Sequence, residues 1–149
     1  MKGLIQRVSD ASVTVGSVRI SQIEQGLLLF LGIEKHDDTN SARRMCQRVI
    51  RFRIFPDESG RMNRSVTDTG GSVLVVPQFT LAADTRSGNR PSFSMAAEPD
   101  KARSLYKVFI DEARNLLGAD RIAEGQFAAD MQVSLTNNGP VTFLLEMAD

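Results

Sequence analysis

The 149 residues include one cysteine, one histidine and no tryptophan. A lone Cys46 excludes an intrachain disulfide, and with His36 as the single imidazole the usual zinc ligand sets cannot be assembled. An ordinary hydrolytic triad or Cys–His pair needs an imidazole to take the proton, so His36 is the one candidate base. It sits in a charged loop and reads as a solvated residue. Cys46 falls on an apolar helical stripe and reads as a small buried hydrophobe. No metal or cofactor is expected, and any catalysis must rest on hydroxyls, backbone donors or the substrate itself. Long apolar runs are missing too: nothing approaches the roughly 20 residues that span a bilayer. The opening Met1-Lys2-Gly3-Leu4-Ile5-Gln6-Arg7 goes directly into alternation, without the apolar core of a signal peptide. The expected location is cytoplasmic. Net charge is zero, so no global field attracts a polyanion, although 14 of the 18 basic residues are arginine.

What is present fits one domain over residues 1–149, since a chain of this size buries roughly two-thirds of its unfolded surface. Leu4 to Val8 and Ala11 to Val15 alternate, and Gly16-Ser17 between Val15 and Val18 predicts a two-residue hairpin turn. The run "GLLLFLGIE", Gly26 to Glu34, is apolar throughout and short, which predicts a central strand buried on both faces. Ala42, Met45, Cys46, Val49 and Ile50 predict a first helix capped by Thr39 or Asn40. "FRIFPDESGRMN" predicts a short strand and turn, Ser72 to Val76 another strand, and Ala83 to Pro99 a long loop. Ala102, Leu105, Tyr106, Phe109, Ala113, Leu116 and Leu117 predict a second helix, with Pro99 in its first turn and Gly118 at its end. Gly125 to Met147 predicts two strands joined at Asn137-Asn138-Gly139-Pro140, because Asn-Gly between alternating apolar residues signals a hairpin. The class is α+β: a largely antiparallel sheet or small barrel with two main helices.

Two stretches carry more specification than structure alone requires. "VVPQFTLAADTRSGNRPSF", Val75 to Phe93, fits an edge strand and solvated loop, or a site built on Pro77-Gln78-Phe79-Thr80 with Asp84, Arg86 and Arg90 beyond it. "NNGPVT" fits a hairpin turn, yet its proline deletes a ladder donor at the start of the returning strand. Together with "QRVSDASVTV" and "GQFAADMQVSL", and with their spacing, these segments resemble the D-aminoacyl-tRNA deacylase family over nearly the whole chain.

The resemblance implies a homodimeric enzyme that hydrolyses the ester between a D-amino acid and the terminal adenosine of tRNA. Misacylated glycine would also be cleaved. Its partners would be aminoacylated tRNA and a second copy of the chain, with neither DNA nor membrane involved. It further implies a cis Gly139–Pro140 bond inserted into the partner's pocket, where flanking carbonyls capture the α-ammonium and an L side chain collides. Proline makes a cis bond cheap, whereas other residues pay about 2.5–4 kcal/mol. On this reading Gln78, Phe79 and Thr80 are catalytic, the backbone N–H groups of Gln78 and Phe79 stabilise the oxyanion, and the adenosine 2′-OH assists. Gly139 and Pro140, with Pro77, Asn137 and Met131, form the substrate-binding filter. Phe79 either lines the adenine pocket or belongs to the core. Arg43, Arg44, Arg48, Arg51 and Arg53, with Arg86 and Arg90, are either phosphate contacts or solvated. The sequence departs from the family at Pro77, where serine is usual, which bears on how strictly L substrates are rejected.

Overall fold

Alternation over Lys2–Val15 makes a long strand, β1, which turns at Gly16-Ser17 into Val18–Ile23, β2. Val15 pairs with Val18, and Gly16 takes φ +61°, the positive value such a turn demands. In this computed structural model, which describes residues 1–147, the chain continues through Gly26–Gly32 (β3), Thr39–Arg51 (α1), Phe55–Pro56 (β4), Met62–Arg64 (β5) and Val66–Thr69 (α2). Then follow Ser72–Pro77 (β6), Pro99–Leu117 (α3), Ile122–Glu124 (β7) and Met131–Glu146 (β8). No described helix is long and apolar enough to cross a membrane.

The α+β expectation holds, with a sheet more mixed than the pattern suggested. β1 is antiparallel to β2, β3 and β8, whereas β3, β6 and β7 run parallel, because α1 and α3 serve as the crossovers that parallel neighbours need. The two main helices are joined by the short α2, capped reciprocally by Ser65 and Asp68. The N-cap of α1 is Asp38 rather than Thr39 or Asn40: its carboxylate accepts from the Ser41 N–H at 2.8 Å, and this bond holds its carboxyl below the usual range. One residue earlier, the buried Asp37 pairs with the Met1 ammonium, which also meets Glu34, both at 2.8 Å.

Each face of the sheet builds its own core. In β3, Leu27, Leu29 and Leu31 pack toward the helices, while Leu28 points the other way and joins Val8, Ala11, Val13, Ile23, Leu74 and Val76 inside a nearly closed barrel. This explains the unbroken apolar run: both faces of β3 are interior. Cys46 lies among the helical-side residues and is fully buried, and burial pushes its thiol pKa up to about 12, with Glu112 adding to the effect. We expect no reaction of Cys46 with a disulfide-exchange reagent at pH 8 in the native protein, and complete reaction in denaturant. Reaction within minutes under native conditions would show that α1 opens.

The expected hairpin at Asn137–Pro140 is absent, and this is a correction. Residues 131–137 and 142–146 both pair with the same strand, β1, so β8 is one strand with an irregular centre. Between the pairs Asp10–Thr136 and Gln6–Thr142, residues 137–141 of β8 stand against residues 7–9 of β1. The motif is a bulge that projects from an outer strand, whose second edge has no partner among the described residues.

Candidate active site

The segment after β6 leaves the sheet abruptly. Gln78 caps a single 3-10 turn, Phe79–Ala82, which packs so tightly on β3 that a Cβ on Gly32 would lie 2.8 Å from Leu81 Cβ. Phe79 is not a core residue: it is 62% exposed and tilts against Phe93 with ring centroids 5.2 Å apart. The Gln78 amide donates to the Thr80 hydroxyl. Among the described residues no imidazole or carboxylate bonds the Thr80 hydroxyl, and His36 is exposed in its loop as expected. Of the two expected backbone oxyanion donors, Gln78 N–H is already given to Leu31 O at 2.8 Å, so that part of the reading is corrected. Phe79 N–H, at the start of the turn, has no protein acceptor among the described residues.

Two cavities flank this segment. One, of about 400 Å³, is lined by Pro77, Phe79, Ala97, Pro99, Ala102, Phe127 and Ala128, and is strongly apolar. The other, of about 290 Å³, is shared by Pro77, Gln78, Phe79, Ala128, Met131 and Val133. The loop 125–130 walls both. It is anchored through Glu124, which accepts from Tyr106 Oη at 3.1 Å and from Arg114 at 2.9 Å; burial and that carboxylate raise the Tyr106 pKa strongly. At its other end the Met131 thioether accepts from Gln126 N–H at 3.3 Å. Between these anchors Ala128 is held at φ +63°, a conformation that costs an alanine on the order of 1 kcal/mol. Phe127, Ala128 and Phe93 were not singled out from the sequence as site residues. The "GQFAADM" pattern was visible, but nothing local marks which side chain faces the cavity.

The structure does not bring Asn137, Gly139 and Pro140 to this place. They line neither cavity. The Gly139–Pro140 bond is cis, and both residues are exposed. Asn137 Oδ1 accepts from Val141 N–H at 3.1 Å, and its amide donates to Thr142 Oγ1 at 3.0 Å, which closes the bulge on itself. Beneath it Arg7 donates to Asn138 O at 3.0 Å and to Ile54 O at 2.8 Å, tying the motif to the loop after α1. Arg7 was not foreseen as part of the site.

The arginines divide. Arg44, Arg48, Arg51 and Arg53 line one groove, whereas Arg43 lies outside it. Arg86 is clamped bidentate to Asp84, whose carboxyl it holds far below the usual range, and Arg90 is exposed on the long loop.

The sequence profile of the D-Tyr-tRNA(Tyr) deacylase family matches residues 4–146. The chain belongs to that family. A D-aminoacyl-tRNA deacylase of Marinobacter nauticus is 60% identical, with 98% of this chain and 94% of that protein aligned. The D-aminoacyl-tRNA deacylase of Teredinibacter turnerae is 54% identical over 98% of this chain and 99% of its own. Among solved structures, one of a protein named c-Myc DNA unwinding element binding protein superposes with a TM-score of 0.96 at 39% identity, covering all of both chains. Another, described as a probable eukaryotic D-amino acid tRNA deacylase, has a TM-score of 0.87 over 98% of each chain; at 15% identity it shares the fold of this deacylase family.

Proposed function

We propose that this chain is a D-aminoacyl-tRNA deacylase that cleaves the ester of D-amino acids, and of misacylated glycine, on tRNA and spares L-aminoacyl esters. It acts in the cytoplasm as a homodimer whose sites form across the interface. The observation that carries this reading is the separation within one chain of the cavities beside Gln78 from the exposed Gly139–Pro140 bulge. A second copy, laid against the open edge of β8, supplies the missing half.

The terminal adenine suits the apolar cavity, where exposed Phe79, backed by Phe93, offers a stacking face and Phe127 adds aromatic wall. Base–aromatic stacking is worth about 1–3 kcal/mol. The aminoacyl group then enters the smaller cavity beside Gln78 and Met131. Carbonyls of the incoming Gly139–Pro140 segment accept the α-ammonium, and the crowding there leaves room for hydrogen but not for an L side chain. An aminoacyl ester is already activated, so little machinery is needed: each tenfold in rate takes about 1.4 kcal/mol. Phe79 N–H serves the developing oxyanion, where one donor contributes about 2.7–4 kcal/mol. The adenosine 2′-OH assists the attack of water without a histidine, metal or cofactor. Thr80, bonded to the Gln78 amide and lacking a base, positions water or substrate. We expect Thr80→Ala to keep activity within about tenfold of the parent; complete loss with tRNA binding intact would make Thr80 the nucleophile. Pro77 lacks the hydroxyl and N–H of the usual serine, so shape rather than a hydrogen bond holds the adenosine there.

The test is deacylation of D-tyrosyl-, L-tyrosyl- and glycyl-tRNA by the purified protein, with and without EDTA. Rapid loss of the D and glycyl esters alone, unaffected by EDTA, is expected. Equal cleavage of the L ester would refute the filter, and binding of tRNA without turnover would leave a nucleic-acid-binding protein, as the name of the 39%-identical neighbour suggests for that protein.

A further inference from the structure

The groove on α1 has a volume of about 650 Å³, and Gln47, Phe52 and Met147 complete the wall formed by its four arginines. Arg44, Arg48 and Arg51 fall at i, i+4 and i+7, one stripe of the helix, which is why Arg43 is excluded from it. Among the described residues no carboxylate lines the groove, and none lies within 4.0 Å of these four guanidiniums. Asp68 meets Arg51 and Arg53 only in a neighbouring depression. Clustered guanidiniums without counter-charge repel one another, and their planar forks match phosphate oxygens.

The groove's position is as informative as its charge. Phe52 tilts against Phe143 with ring centroids 5.4 Å apart, and Arg48 donates to Glu146 O at 3.3 Å, so two of the groove's lining residues rest on the second half of β8. Arg7 joins Ile54 O, beside Arg53, to Asn138 O in the bulge. The groove therefore adjoins Gly139–Pro140, while it shares no residue with either cavity at Gln78. If the bulge enters the partner's cavity, the groove travels with it.

We infer that a tRNA hydrolysed in one subunit is gripped, through the phosphates of its acceptor stem, by the arginine groove of the other subunit, the one that supplies Gly139–Pro140. This rests on the cross-subunit deacylase reading. Chemistry and grip on one substrate thus come from different chains.

The variant Arg44→Glu/Arg48→Glu/Arg51→Glu, with a triple Arg→Gln variant as a milder second, tests it. The measured quantity is kcat/KM for D-tyrosyl-tRNA divided by kcat/KM for D-tyrosine esterified to the trinucleotide CCA, which lacks the stem. That ratio should fall at least tenfold. The log–log salt dependence for the full tRNA should also flatten by about 2–3, near one per lost phosphate contact. Mixed dimers assign the subunit. When Gly139→Ala disables one bulge, only the cavity facing the intact bulge works. Reversing the charges on the chain with the intact bulge should lower the ratio, and reversing them on the other chain should leave it unchanged. An unaltered ratio, or the opposite pattern in the mixed dimers, overturns the inference even though the parent is active. A parent that cleaves neither ester overturns the deacylase reading and this inference with it.

Discussion

Gly139→Ala is expected to reduce kcat/KM for D-tyrosyl-tRNA at least a hundredfold while the protein remains folded. Gly139 has φ +141°, a region L side chains rarely adopt, and an added Cβ would lie 2.5 Å from Val141 Cγ2 and 2.9 Å from Val141 N. Val141 is buried in the helical-side core and cannot yield, so the bulge must move. On the other side stands Arg7 Nη2, 3.3 Å from the same Cβ, whose bonds to Asn138 O and Ile54 O fix the motif's height above β1. A displacement on the order of 1 Å in a group that positions substrate commonly costs about a hundredfold. The strain stays local, because the arms of β8 on either side keep their pairing with β1. The melting temperature should drop by only a few degrees. Rates on D- and L-tyrosyl-tRNA, with circular dichroism as the check on folding, decide the matter: an unchanged D rate would reduce the motif to a strand irregularity with no part in catalysis.

Asp37→Ala should cost about 3 kcal/mol of stability, a fall of about 6–12 °C in Tm for a chain of this size. Asp37 is 4% exposed, and its two oxygens accept from the Met1 ammonium at 2.8 Å and from Glu34 N–H at 2.7 Å. Removing the carboxylate leaves a buried positive charge and an orphaned amide. Glu34 remains as a second partner, but it is partly exposed, which keeps the cost near the lower end of the range for broken buried pairs. Urea unfolding monitored by circular dichroism gives the number, and a change below 1 kcal/mol would mean that Glu34 alone satisfies the ammonium.

How much of this was legible beforehand depends on the range of the interactions involved. The run Gly26–Gly32 announced a central strand because both its faces are apolar, and the stripe Ala42 to Ile50 announced α1 by its period. The cap at Asp38 was missed by one residue, since several adjacent polar side chains could each have served. The misreading at Asn137–Pro140 is more instructive. Asn-Gly is a hairpin signal only when the two arms pair with each other, and here β1 offers both arms a better partner, with Arg7 stabilising the turn-like residues from below. Arg7 acts across 131 residues to Asn138 and 47 to Ile54, and no local pattern encodes that. The arginines were visible as a cluster, but their division into a groove and outliers required the helix.

The bulge in β8 also changes which core the strand serves. Met131, Val133 and Leu135 pack into the barrel, whereas Val141 and Leu145 pack under the helices. All five are odd-numbered, and in a regular strand they would share one face. The strand must turn over between Leu135 and Val141, and the motif is where it does so, beside the matching irregularity of β1 between Val8 and Asp10. A protein engineer who straightened this segment to remove the activity would thereby aim Val141 and Leu145 into the wrong compartment and bring Leu144, now half exposed, inward. The bulge cannot be edited out as an appendage, because the packing of both cores requires the inversion it makes.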